Sequence, residues 1–256
     1  MAAFEEVPPY EFTALADAGM PCLESREAKE QLLQWNLDQT LTVGKFRFTG
    51  SFDQNSDADY DRLLKDFTRD SSCAAKLGFM GTPSTPMTVE MHQLSTAVKS
   101  MTFFDRLEEY DIVHGGHIRG CFEEIYDGIS VSDKLRDMLV NEDSENASVY
   151  SESEKKELIF VIFRMLVIGG SMCQPDTEVK RYQELTKRLY KEMLTVYKMP
   201  SSGEVVISGR CFQVLSVGGV DLFSNPEKDQ QNVLVLVVDP MKKEVTSLKV
   251  NFVSFW

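Results

Sequence analysis

The run LIFVIFRMLVIGG, residues 158–170, is the most apolar stretch of the chain, and its reading decides the fold class. A membrane-spanning helix needs about 20 apolar residues. Here about eleven precede Gly169-Gly170, and Arg164 stands in their middle, where an insertion scale charges about 2.5–3.5 kcal/mol for a central arginine. The run is therefore too short to span. Just before it, SESE (151–154) has the form of a capping box, with the Ser151 hydroxyl accepting from the Glu154 amide and the Glu154 carboxylate reaching back. The expectation is a helix that starts near Ser151, is amphipathic through Glu157, and then becomes apolar on every side. That pattern belongs to a central helix of a water-soluble domain. Arg164 is expected to snorkel to an edge or to pair with an acid.

Working outward, the flanks supply helices first and strands last. SREAKEQLLQWNL (25–37) and SDADYDRLLKDF (56–67) read as helices, the second opened by Ser and Asp caps. Between them TVGKFRFTGSF (42–52) alternates like a strand. GFMGTPSTPM (78–87) is a loop and VEMHQL (89–94) a candidate strand. MTFFDRLEEYDIV (101–113) and SVSDKLRDMLV (130–140) make the middle helical, and NEDSENASVY (141–150) is an acidic connector. After the apolar run, Tyr182, Leu185, Leu189, Met193 and Val196 recur at helical spacing, which predicts a helix from about Thr177 to Tyr197. The period then changes. EVVISGRCFQVLSV (204–217), NVLVLVVD (232–239) and EVTSLKVNFVSF (244–255) are rich in β-formers, and DPMKKE (239–244) is a turn. VLVLVV lacks alternation, so this strand is expected to lie centrally with both faces covered. The fold class is α+β: a helical middle with a C-terminal antiparallel β-meander packed against helices. Residues 1–24 read as a flexible N-terminal segment and 25–256 as a single α+β domain.

Composition narrows the function. The 256 residues carry a formal net charge of -13, and residues 1–150 hold 27 acidic against 13 basic side chains. Such a surface repels phosphate backbones and anionic lipid, so neither nucleic acid nor membrane is an expected partner. Five scattered cysteines without a C-x-x-C pair point to a reduced, intracellular protein, and the acidic start MAAFEEVPPYEF lacks the features of a secretory signal.

The chemistry-bearing motifs are few. HGGH (114–117) places two imidazoles three residues apart, and Cys121 follows closely. A metal-dependent or cysteine-based enzyme using His114, His117 and Cys121 is one reading, and a Gly-Gly turn between polar residues is the other. Phosphate-cradling glycine motifs and the G-x-S-x-G elbow are missing from the sequence. The expectation is no catalytic constellation and no cofactor. Recognition features remain: the acids Glu142, Asp143 and Glu145 of the connector, suited to a basic partner, and the terminal aromatics Phe255 and Trp256, which either dock on the protein's own core or are presented to a partner.

A set of pieces in order carries a resemblance. MTFFDRL (101–107) is followed by DIV and GHI, CFEEI (121–125), VSDKLRDML (131–139), NEDSENASVYSESEKKEL (141–158), RMLVIGGSMCQ (164–174), YQELTKRLYKEMLTV (182–196) and LVLVVDPMKKEV (234–245). In this order and spacing the chain resembles the cilia- and flagella-associated protein 300 family, with a family-like core over 101–256; before Met101 only GKFRFTGSFDQ (44–54) and the helix after it are similar. The resemblance implies a non-enzymatic role in assembling or transporting outer and inner axonemal dynein arms, in cytoplasm and cilium. It implies as partners axonemal dynein subunits, cytoplasmic assembly factors of the kintoun type and the intraflagellar transport machinery. A structural axoneme component is the alternative. The family has no active-site residues to carry over.

Overall fold

The computed structural model describes residues 8–16, 19–198, 203 and 205–254. The strand Val233–Asp239 runs through the middle of the main sheet, and all seven of its residues are buried. Val233, Val235 and Val237 face one hydrophobic core, and Leu234, Leu236 and Val238 face a second. The unbroken apolar run is thus a strand with its two faces in two cores, as its lack of alternation predicts.

Its neighbours are antiparallel. Arg210–Val217 lies on one side, with Phe212 opposite Leu236, and Glu244–Val250 on the other, with Ser247 opposite Leu236. These three strands form the expected C-terminal meander. The turn joining its last two strands is tied by the Asp239 carboxylate, which accepts from the amides of Met241 (3.0 Å) and Lys242 (3.2 Å). Earlier segments extend the sheet: Leu41–Phe48 pairs with Glu244–Val250, and Val89–Leu94 with Arg210–Val217. The stretch before Ser25, read as loose, adds a strand as well. Phe12–Ala14 pairs with Leu41–Phe48, and Tyr10 and Phe12 are buried against Phe48 and Phe67. Aromatic side chains tie residues 10–14 down despite the prolines at 8 and 9.

Helices cover both faces. On one, Asp57–Arg69 and Ser71–Leu77 bring Leu63, Leu64, Phe67 and Leu77 to the second core. On the other, Arg26–Gln34, Leu158–Ile168 and Val179–Met193 fill the first. The apolar helix buries ten of its eleven residues. At roughly 1.5–3 kcal/mol for each large side chain removed from water, it is the main anchor of the fold. No helix among the described residues is long and apolar enough to cross a membrane.

Three local expectations need correction. The Ser151–Glu154 box forms, with the Ser151 amide on Glu154 Oε2 at 2.9 Å and the Glu154 amide on Ser151 Oγ at 3.3 Å, but it closes a turn and not the helix. The chain is extended at Glu157 (φ -72°, ψ 133°), because that residue bridges to Ser95. Its carboxylate takes the Ser95 hydroxyl (2.6 Å) and the Val98 amide (3.2 Å), and the helix begins only at Leu158. The helix expected from Thr177 to Tyr197 spans Val179–Met193, since Val196–Lys198 turns into a strand that pairs with Val205–Ile207. Finally, the helical middle also carries a two-stranded hairpin, Gly120–Tyr126 with Ile129–Asp133, turned by Asp127 (φ 51°) and Gly128 (φ 84°).

The SDKLRDML and IGGSMCQ blocks meet in space. Arg136, 3% exposed, sends Nε and Nη2 to the carbonyl of Val167 at 3.0 and 2.9 Å, and Nη2 also contacts the Ile168 carbonyl (3.5 Å) and Cys173 Sγ (2.6 Å). A buried guanidinium thereby caps the C-terminus of the apolar helix, where orphan carbonyls and the dipole favour a cation. The chain leaves through Gly169 and Gly170 against the Trp35–Asn36 backbone. A Cβ on Gly170 would stand 2.2 Å from the Asn36 carbonyl oxygen, so only glycine fits this crossing.

Candidate functional site

His114 and His117 face each other across a short hairpin, Val113–His114 against His117–Ile118, and both side chains are exposed. Gly115 (φ 58°) and Gly116 (φ 81°) make its two-residue turn, a conformation that glycine adopts without steric cost. The turn is held from below by Glu108, whose carboxylate accepts from the Gly116 amide at 2.9 Å. Cys121 lies in the next strand, exposed, and its thiol is pushed up from its usual range, first by partial desolvation and then by Asp137, Asp133 and Glu124, which disfavour the reactive thiolate. Cys173 is also raised by burial, although Arg136 opposes the shift. Among the described residues, no group of three or more His, Cys, Asp or Glu side chains is arranged to hold a metal ion.

The acidic connector is a built surface. Asn141 anchors its start, with Nδ2 donating to Asp137 Oδ1 (2.9 Å) and to the Tyr126 hydroxyl (3.1 Å), and Oδ1 accepting from the Asp143 amide (3.0 Å). Its end is pinned by Tyr150, which packs on Phe103 and Phe160 at 4.9 and 5.1 Å and lies under Arg106 at 5.3 Å. Glu142, Asp143 and Glu145 are all exposed between these anchors. Glu145 approaches Lys134 only at 3.9 Å, and Glu142 and Asp143 make no ion pair among the described residues. Phe255 and Trp256 lie outside the described residues.

Through Asn141 and Tyr126 the connector abuts the 120–133 hairpin. There Phe122 is 93% exposed and Ile125 74%, beside Glu123 and Glu124. Glu142 and Asp143 are carboxylates without an ion pair among the described residues, and Phe122 and Ile125 are large apolar side chains in water, a composition suited to protein contact; Ile125, paired with Ser130, lies on the strand face opposite Tyr126. Phe122 and Ile125 were not among the sequence-level candidates. The Asp127-Gly128 pair was the available signal, because it marks the hairpin and hence an exposed strand.

Behind the connector lies a cleft of about 770 Å³, bordered by Asn141, Glu142, Glu152, Arg164 and Gln230. Arg164 is partly exposed at the edge of this cleft, as a snorkelling arginine is, and makes no ion pair among the described residues. It crosses to Gln230, donating to the backbone carbonyl at 3.1 Å and to the side-chain oxygen. Burial lowers its pKa, and the charge of Asp229 works against that shift. The cleft is lined by charges of both signs, Glu142 and Glu152 with Lys155 and Arg164, and Lys155 is already paired with Glu152 at 2.7 Å.

Comparison with known proteins follows the same lines. The family model described as cilia- and flagella-associated protein 300 matches residues 9–250, so the likeness read from Met101 onward extends almost to the N-terminus. A cilia- and flagella-associated protein 300 of Chlamydomonas reinhardtii is 31% identical over 261 residues, covering 95% of this chain and 100% of the relative. Its counterpart from Paramecium tetraurelia is 29% identical over 236 residues, covering 91% of each. No solved structure matches the chain. With the family model spanning both cores, the apolar helix and the acidic connector, the chain belongs to the cilia- and flagella-associated protein 300 family.

Proposed function

We propose that this protein of the cilium and flagellum is a non-enzymatic adaptor that promotes assembly or transport of outer and inner axonemal dynein arms. It works in the cytoplasm with assembly factors of the kintoun type and in the cilium with the intraflagellar transport machinery. The family membership over residues 9–250 carries the reading. The exposed surface supports it: Glu142, Asp143 and Glu145 stand in water on the connector, and Phe122 and Ile125 stand in water on the neighbouring hairpin, a composition of protein recognition and not of bond-making.

The test is affinity purification of the full chain from ciliating cells, compared with the E142Q/D143N/E145Q variant. Dynein arm subunits and kintoun-type factors should come down with the parent chain and be depleted with the variant. Recovery without either class of protein would count against the adaptor role, and equal recovery by the variant would move the contact off this face.

A further inference from the structure

A second surface is opposite in character. Between the helix Val179–Met193 and the hairpin strands Val196–Lys198 and Val205–Ile207 lies a groove of about 530 Å³. Ile159, Tyr190 and Leu194 form its buried floor, and Met101, Val196 and Ile207 its walls. The Tyr190 hydroxyl is already used, donating to the Val98 carbonyl at 3.0 Å, so the ring offers only its apolar body. Val196 is largely exposed although it lines hydrocarbon.

The rim carries Lys99, Lys187 and Lys191, all exposed, and among the described residues no carboxylate lines the groove. None of the three ammonium groups has an ion-pair or hydrogen-bond partner among the described residues. The acids of the same helix are turned elsewhere: Glu184 sits 3.7 Å from Lys180, and Glu192 accepts from the Cys22 amide at 3.0 Å. Lys187 and Lys191 stand four apart, a like-charge spacing that disfavours the helix and that a bound anion relieves. In a chain of net charge -13, three unneutralised cations around one apolar groove are a local reversal of sign.

We propose that this groove docks an acidic protein segment bearing bulky apolar side chains. The apolar groups fill the Ile159–Tyr190–Leu194 floor, and flanking carboxylates pair with Lys99, Lys187 and Lys191. Apolar anchoring supplies affinity, and the charged rim supplies on-rate and selection against basic partners. The site is separate from the connector face. Together they give an adaptor one surface for a basic partner and one for an acidic partner, and the groove's test does not depend on any dynein phenotype.

The experiment selects a random peptide library on the immobilised full chain, then measures the best synthetic peptide by fluorescence anisotropy against the parent, K187E/K191E and I207S. The expected result is enrichment of net-acidic peptides with at least two large apolar residues. Affinity should fall about tenfold or more in K187E/K191E, the ratio that a lost charge-assisted contact produces, and should fall in I207S as well. The reversed lysines are exposed, and unchanged thermal unfolding of K187E/K191E confirms that its fold is intact. Selection of neutral or basic peptides, undiminished binding to K187E/K191E, or no enrichment overturns the proposal. So does a self-association of the chain that K187E/K191E abolishes, because the groove would then hold a second copy.

Discussion

Replacing Arg136 by methionine removes the cap of the apolar helix and leaves side-chain volume nearly intact. The guanidinium now gives two hydrogen bonds to the Val167 carbonyl and a longer one to Ile168, all buried. Hydrogen bonds involving a charged group contribute about 1.5–3 kcal/mol each, and a buried carbonyl left without a donor costs about 1–3 kcal/mol. Relief from burying a cation offsets part of this, so the net loss is about 2–4 kcal/mol. A second effect follows at Asp133, whose carboxyl is raised by burial while the Arg136 charge pulls it back down. Without that charge it rises further. Urea unfolding followed by Trp35 fluorescence reads the change, because this indole is fully buried and stacked on Tyr182 at 4.4 Å. With a slope of about 2–3 kcal/mol/M, the midpoint should drop by about 1 M, and Arg136→Lys should fall between, lacking the planar fork. A midpoint for R136M within about 0.2 M of the parent, on that same scale, would show that the helix end is held by something else.

Lys249 is 2% exposed and bonded to the Leu77 carbonyl at 2.5 Å, with Phe79 and Phe223 around it, and burial lowers its pKa to about 8. The folded chain therefore loses this proton before the unfolded chain does, so stability rises between about pH 8 and 10.5 and is lost as pH falls back through 8. Lys249→Met should abolish that rise relative to the parent and stabilise at pH 7 by at most about 3 kcal/mol, read from urea midpoints across the pH series. Gly170→Ala forces a Cβ to 2.2 Å from the Asn36 carbonyl oxygen, and calorimetry should record a loss of about 3 kcal/mol or more. Gln31 is fully buried with neither amide atom partnered, so Gln31→Leu should raise the thermal midpoint, by an amount equivalent to about 1 kcal/mol. Alanine at His114 and His117 together should leave unfolding within about 0.5 kcal/mol of the parent, since both rings lie in solvent on a turn that the glycines make.

The fold was legible wherever a local pattern coincides with its tertiary setting. The unbroken VLVLVV run could be placed centrally because a strand between two cores needs apolar side chains on both faces. The apolar helix was legible for the same reason. The misread start at Ser151 came from a correct local motif overruled at a distance, because Ser95 and Val98 engage the Glu157 carboxylate and hold that residue extended. The connector acids were visible as a charge run. The lysine-rimmed groove was not, because Lys99, Ile159, Lys191 and Ile207 are brought together only by packing, and none of them stands out in its own stretch of chain. The apolar exposure of Phe122 and Ile125 was hidden too, since CFEEI has no helical or strand period to mark which side faces water.

The adaptor reading is tested most directly by electron microscopy of axoneme cross-sections from ciliated cells lacking the chain, with and without its re-expression. Outer and inner dynein arms should both be missing or sparse, and should return with the full chain. Axonemes with a normal complement of both arms in its absence would contradict the account.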